Sequence, residues 1–237
     1  MDLIEKMRPT TKKKKNCFVI VATNYFTKWV EAKAYKDVIE YDVIKFIKET
    51  IVHWFGLPQS ITMDNGMAFN GSRVFAFVLE YGIKILNSTP YYAQANGQAE
   101  STNKIIKANL RKVVYSNPSN WDELLLEVLW AYRTSKMLCI NTTPFSLVYG
   151  HDAVLPVEVT VQSLRVARQN QLSHTDYEDA MMAEMDDLDE AQVAALNSII
   201  LQKQRVIKNY NWRVRPKTFA IGDLVWKVIL PFGTKDS

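Results

Sequence analysis

Three acidic residues stand where packing does not explain an acid: Asp2 in the first apolar segment, Asp64 in the run TMDNG, and Glu100 in QAEST, with 35 residues between the last two. Taken singly, each has an ordinary explanation. Asp64-Asn65-Gly66 is a common turn former, and an acid in the first turn of a helix complements the helix dipole. Whether the three act together depends on the elements that carry them.

Residues 17–23 (CFVIVAT) form a continuous apolar run rich in β-branched types, and 27–35 read as a second strand after a turn at Asn24 and Tyr25. Met1–Ile4 reads as a short first strand. Val43, Ile47 and Ile51 then recur at i, i+4 and i+8, which predicts a helix over 39–55, stopped by Gly56 and Pro58. A strand at 59–63, a helix near 72–81 closed by Gly82 and a strand at 83–87 complete the order β-β-β-α-β-α-β, a mixed sheet covered by helices. After a loop of small and polar residues comes a helix over 97–115. Pro118-Ser119 opens another, whose Trp121, Leu124, Leu125, Val128, Leu129 and Tyr132 make a core-facing stripe.

In this order the first and fourth strands are natural neighbours, and the helix carrying Glu100 brings its first turn over their ends. Three carboxylates meeting there cannot all stay ionised without cations. Hard oxygen ligands without Cys or His suit Mg²⁺ or Mn²⁺, and a pair of such ions ~3.5–4 Å apart is a usual device for in-line phosphoryl transfer.

With 237 residues, 48% of them hydrophobic, the chain can bury a one-domain core with appendages and is no disordered tail. A net charge of +4 is too small to argue for a nucleic-acid partner without a local cluster. Cys17, Cys139, His53, His151 and His174 lie too far apart for a zinc finger or a disulfide framework, and they read as structural or surface residues. No apolar run approaches a membrane span, and the charged start MDLIEKMRPTTKKKK is unlike a signal peptide. The sequence therefore reads as intracellular, nuclear or cytoplasmic, with no membrane partner. Beyond Pro156 the composition shifts: residues 173–192 hold eight acidic and no basic side chains, and 193–217 hold six basic and no acidic ones. This predicts a long helix with its acids toward the N-terminus. The terminal FAIGDLVWKVIL resembles the first strand of a small β module.

Asn103, Lys104 and Lys107 lie three, four and seven residues beyond Glu100, on its helix face, and Arg111 continues the row. Spacing alone leaves open whether this is a solvated basic face or a phosphate-binding one. Lys12–Lys15 reads as a solvated hairpin tip.

Met1-Asp2-Leu3-Ile4, VATNYFTKWVEA, FGLPQSITMDNG, STPYYAQANGQAESTNKIIK, WDELLLEVLWAYRT and TTPFSLVYG, in this order, resemble the integrase core of a gypsy-class long-terminal-repeat retrotransposon, related to retroviral integrases. The resemblance covers residues 1–158. It implies a ribonuclease-H-like fold and an Asp, Asp, Glu triad at Asp2, Asp64 and Glu100 that holds two Mg²⁺ or Mn²⁺ ions. Residues 159–217 resemble the family's linker and 218–237 the start of its C-terminal barrel, here incomplete.

By the same resemblance Lys104 and Lys107 approach DNA ends. The loop and helix start at Tyr91, Tyr92, Gln94, Asn96, Gly97 and Gln98 touch the scissile end, with Asn103 and Arg111 on the same face. The expected partners are retroelement ends, target DNA and further copies of the chain. The family usually has Asp where this chain has Asn24, on the second strand and outside the triad. It also carries upstream a zinc module and the start of strand one, which this sequence lacks, so the fragment is expected to be a poor catalyst as written. The implied function is DNA integration: 3′-end processing, then strand transfer. Two alternatives are a noncatalytic DNA-binding or assembly remnant and a ribonuclease H, the latter disfavoured by the 35-residue interval.

Overall fold

The computed structural model describes residues 1–4, 7–64, 66–87, 97–161, 173–213 and 222, with the backbone alone at 87, 97–100, 159, 160, 174, 210 and 213. Strands β1 (Asp2–Ile4), β2 (Phe18–Thr23) and β3 (Val30–Tyr35) pair antiparallel, with Asp2 opposite Val21 and Ile20 opposite Lys33. Strands β4 (Ser60–Met63) and β5 (Lys84–Asn87) pair in parallel, with Ile61 opposite Ile85. The expected single five-stranded sheet is thus two ladders, and the Met1 amino group, donating to the Thr62 carbonyl, links them by setting β1 beside β4.

Strand β2 explains why CFVIVAT is apolar throughout: both of its faces are buried. Ile20 and Ala22 pack on one side with Met63, Val43, Phe46 and Phe77. Val19 and Val21 pack on the other with Ile4, Ile106, Leu110, Trp121 and Leu129. The first layer is built by α1 (Glu40–Phe46) and α3 (Ser72–Glu80), the second by α4 (Gly97–Ser116) and α5 (Leu125–Thr134). The layer holding α4 is the one that matters for the acids, because it presses that helix on β1.

Two predicted helices differ in detail. The helix expected over 39–55 passes from α1 through a π-helical stretch, Ile47–Val52, into the short α2 (His53–Phe55). Within that stretch the Thr50 hydroxyl donates to the Phe46 carbonyl at 2.6 Å, a side-chain bond on the helix's own acceptor. Gly56 ends the run at φ 79°.

The helix expected from Pro118 starts only at Leu125. Residues 117–123 instead make successive turns, with Asn120 N–H on the Asn117 carbonyl and Glu123 N–H on the Asn120 carbonyl. The cause is tertiary. The Ser119 carbonyl accepts from Lys12 N–H at 3.0 Å, Trp121 Nε1 donates to the Pro9 carbonyl at 3.1 Å, and Asp122 accepts from Asn16 Nδ2 at 2.9 Å. The stripe still packs, and Trp121 is fully buried. Lys13, in the expected solvated tip, lies 3.5 Å from Glu123.

The motif TTPFSLVYG becomes α6 (Pro144–Tyr149). Thr143 caps it by accepting from Ser146 N–H at 3.0 Å, Pro144 sits in its first turn, and Gly150 leaves it at φ 85°. A short α7 (Pro156–Thr160) follows, and α8 runs His174–Arg213. The chain divides into two compact units, Met1–Ile199 and Ile200–Ser237. In the first, Ala195 and Ile199 of α8 are buried with Ile140 and Leu147. In the second, residues 200–213 continue the helix, while the expected β module at 218–237 lies outside the described residues apart from Gly222. Among the described residues no helix is long and apolar enough to cross a membrane.

Candidate active site

Asp2 opens β1 and is half-buried, with its backbone held in the ladder opposite Val21. Its two carboxylate oxygens have different partners. Oδ1 accepts from Leu3 N–H at 2.8 Å, and Oδ2 accepts from Asn103 Nδ2. Asn103 is 3% exposed, and its own Oδ1 is buried with no hydrogen-bond partner. The contact with Asp2 sets the amide orientation, since only the NH₂ end can face a carboxylate.

Asp64 directly follows β4 and is exposed. Its relation to Asp2 is visible at Met1, whose amino group is driven down to about 6 by burial, partly offset by the negative charges of Asp2 and then Asp64. The Met1–Thr62 hydrogen bond sets the residue before Asp2 against β4 two residues before Asp64.

Glu100 stands in the first turn of α4, one turn before Asn103, and its side chain lies outside the described residues. Three residues of α-helix rise ~4.5 Å, so its backbone is about that far along the axis from that of Asn103. The chemistry of Asp2, Asp64 and the orphaned Asn103 oxygen fits a hard divalent cation with its bound water, because such a water offers the hydrogen that Oδ1 lacks. Among the described residues no three His, Cys, Asp or Glu side chains form a metal-ligating group.

The basic row separates. Lys104 and Arg111 are exposed and Lys107 is half-buried. Asn103, expected among the DNA contacts, is instead turned inward, because the i+3 position faces β1. Its spacing from Glu100 was visible in the sequence, but its partner was not. Tyr91, Tyr92, Gln94 and Asn96 lie outside the described residues, and of Gly97 and Gln98 only the helical backbone is described.

Asn24 has another role. Its Oδ1 accepts from Phe26 N–H and Thr27 N–H, both at 3.0 Å, closing the turn after β2. Trp29, a few residues on, is held from α5 and α6. Arg133 lies 4.3 Å over its ring, pairs with Glu31 at 2.9 Å and donates from Nε and Nη2 to the Val30 carbonyl, while Tyr149 meets the ring at 5.6 Å. The NYFTKW, WAYRT and TTPFSLVYG motifs thus meet in one structural cluster on β3.

A sheet of this order with helices on both faces and acids at the β1 and β4 ends defines the ribonuclease-H-like class. No family model matches the chain. It is similar to the Pro-Pol polyprotein of simian foamy virus type 1, at 32% identity over 117 residues, 49% of this chain and 10% of that one. It is similar also to the Tf2-3 transposon polyprotein of Schizosaccharomyces pombe, at 24% over 145 residues, 61% of this chain and 11% of that one. The match thus spans about a tenth of the length of these relatives. Among solved structures, an intasome of simian T-cell lymphotropic virus in complex with PP2A regulatory subunit B56 gamma matches at 26% identity and TM-score 0.52, covering 62% of this chain and 52% of that one. In sequence and in fold the chain is thus similar to retroelement polyproteins and to integrase structures.

Proposed function

We propose that this chain carries out DNA integration by polynucleotidyl transfer, with Asp2, Asp64 and Glu100 as the ligands of two divalent cations, Mg²⁺ or Mn²⁺. The observation that carries the reading is the join of β1 and β4. There the backbone at Met1 meets Thr62, so that Asp2 and Asp64 follow the two joined positions closely, and α4, which bears Glu100, reaches Asp2 through Asn103. When bound, the cations would supply charge stabilisation for the phosphorane-like transition state and a water acidic enough to attack near neutral pH.

The chain's own residues do the rest. Asn103 holds one oxygen of Asp2, so the other face of that carboxylate keeps a fixed direction. Lys104 and Lys107 neutralise phosphates of the bound DNA end, and the residues before α4 grip the scissile nucleotide. The same site serves first 3′-end trimming and then attack of the new 3′-hydroxyl on target DNA, without a covalent enzyme intermediate. DNA ends, target DNA and further copies of the chain are the partners, residues 1–158 form the core, and 159–217 and 218–237 serve as linker and C-terminal module.

The test is strand transfer on terminal-repeat DNA, by this chain and by a longer polypeptide that includes upstream sequence, each with Asp64→Asn and Glu100→Gln. Loss of transfer in both variants, with duplex DNA binding kept, is expected. Transfer surviving Glu100→Gln would overturn the triad.

A further inference from the structure

A cleft of about 650 Å³ opens beside the carboxylates, and its walls are the same two elements that make them. One wall holds Ile4 at the end of β1 with Met7, Arg8 and Pro9, and the other follows α4 through Lys107, Arg111 and Tyr115. Its near end is therefore one helical turn from the Asp2–Asn103 contact. Three cations, Arg8, Lys107 and Arg111, line it, and no acid does among the described residues. None of the three has an ion pair among the described residues, whereas Lys13, Lys33, Lys45 and Arg133 do. Tyr115 is 91% exposed at the far end, an aromatic face offered to solvent beside a basic groove.

From these observations we infer that the cleft holds an unpaired nucleic-acid strand running away from the carboxylates, with phosphates on Arg8, Lys107 and Arg111 and a base stacked on Tyr115. The inference rests on the reading of the chain as a DNA-joining enzyme and adds the path of one strand. Lys107 to Tyr115 spans eight residues, ~12 Å of helix. At no less than ~3.4 Å per nucleotide, the fully stacked spacing, this is room for at most roughly three to four nucleotides. The combination of a cationic track with an exposed ring is the recognition chemistry of single strands, since a base inside a duplex already has both faces covered by its neighbours. A protein partner of acidic character would use the cations but not the ring.

Fluorescence anisotropy without divalent cations tests this, using a single-stranded oligonucleotide, a blunt duplex and a duplex with a 3′ overhang. Arg8→Ala is expected to lower the salt slope of single-strand binding by about 0.7, the share of one phosphate contact. Tyr115→Ala is expected to weaken single-strand and overhang binding roughly 5- to 100-fold and leave the blunt duplex unchanged, while Tyr115→Phe keeps wild-type affinity. Lys112→Ala, exposed on α4 but outside the cleft, is expected to change nothing. Both tested side chains are exposed, and a thermal melt verifies that the variants fold. Wild-type affinity and slope in Arg8→Ala and Tyr115→Ala would overturn the cleft while leaving the proposed function standing if Lys104→Ala still weakens DNA binding. Equal losses in Lys112→Ala would reduce the cleft to general surface charge, and no binding of any probe by the wild type would count against both readings.

Discussion

Replacing Asn103 by Ala separates positioning from packing. The side chain makes one charge-assisted bond to Asp2, of the kind worth ~1.5–3 kcal/mol, and buries one carbonyl oxygen without a partner, a cost of ~1–3 kcal/mol. The substitution removes both, so the two effects nearly cancel, and urea unfolding is expected to shift by no more than about 1 kcal/mol. The consequence for Asp2 does not cancel. With its Oδ2 released, the carboxylate keeps only the Leu3 N–H contact, and a drift of ~1 Å at a reacting centre can cost on the order of a hundredfold in rate. The expected result is a near-native fold, a smaller rise in melting temperature on adding Mn²⁺, and strand transfer reduced about a hundredfold. Asn103→Asp should behave differently, because a second carboxylate against Asp2 raises the pH at which the pair becomes fully ionised and moves the acid limb of cation binding upward. A loss of ~3 kcal/mol in Asn103→Ala together with an unchanged Mn²⁺ response would refute the argument and leave Asn103 as a packing residue.

Asn24→Asp is expected to leave Mg²⁺ affinity by calorimetry and unfolding free energy unchanged, since a carboxylate accepts the same Phe26 and Thr27 N–H groups; a tenfold gain in affinity would contradict this. Arg133→Met strands Glu31 beneath Trp29 and should cost about 3 kcal/mol by urea unfolding, the lower end for a broken buried pair because the two side chains keep 15% and 23% of their exposure; a loss under ~1 kcal/mol would count against it. Tyr35 carries a buried hydroxyl without a hydrogen-bond partner, and burial, then Asp42 and Glu49, push its pKa up from 10.0 to about 12. The unfolded chain ionises first, so stability is complete below pH 10 and falls toward pH 12. Tyr35→Phe should remove that fall and add up to ~1 kcal/mol at neutral pH, measured by thermal melts across pH. A fall of the same size in the variant would place the titration elsewhere.

How much was legible beforehand differs between elements for physical reasons. The apolar run of β2 is a local pattern that formed where expected, whereas the i, i+4 recurrence of Val43, Ile47 and Ile51 fixes a helical segment but not its winding, which turns π-helical over Ile47–Val52. The stripe from Trp121 to Tyr132 was read correctly as core, yet its first residues are turns rather than helix. The loop at residues 9–16 takes hydrogen bonds from or gives them to Ser119, Trp121 and Asp122, and no window of sequence around Pro118 contains that loop. The motifs around Trp29, Arg133 and Phe145 stood out as a pattern, but only their meeting on β3 reveals that they stabilise the scaffold rather than react.

At the site itself, residue type and spacing put forward Asp2, Asp64 and Glu100 as candidates and suggest a hard cation, because carboxylates without Cys or His admit few chemistries. Helical periodicity likewise put Asn103, Lys104 and Lys107 on the side of Glu100. What periodicity cannot decide is which member of such a face points inward, since that depends on the element packed against it. Here β1 lies under α4, so Asn103 meets Asp2 while Lys104 stays in solvent. Arg8 and Tyr115 are over a hundred residues apart and carry no joint signal in the sequence. Only the packing of β1 on α4 turns them, with Lys107 and Arg111, into the walls of one cleft.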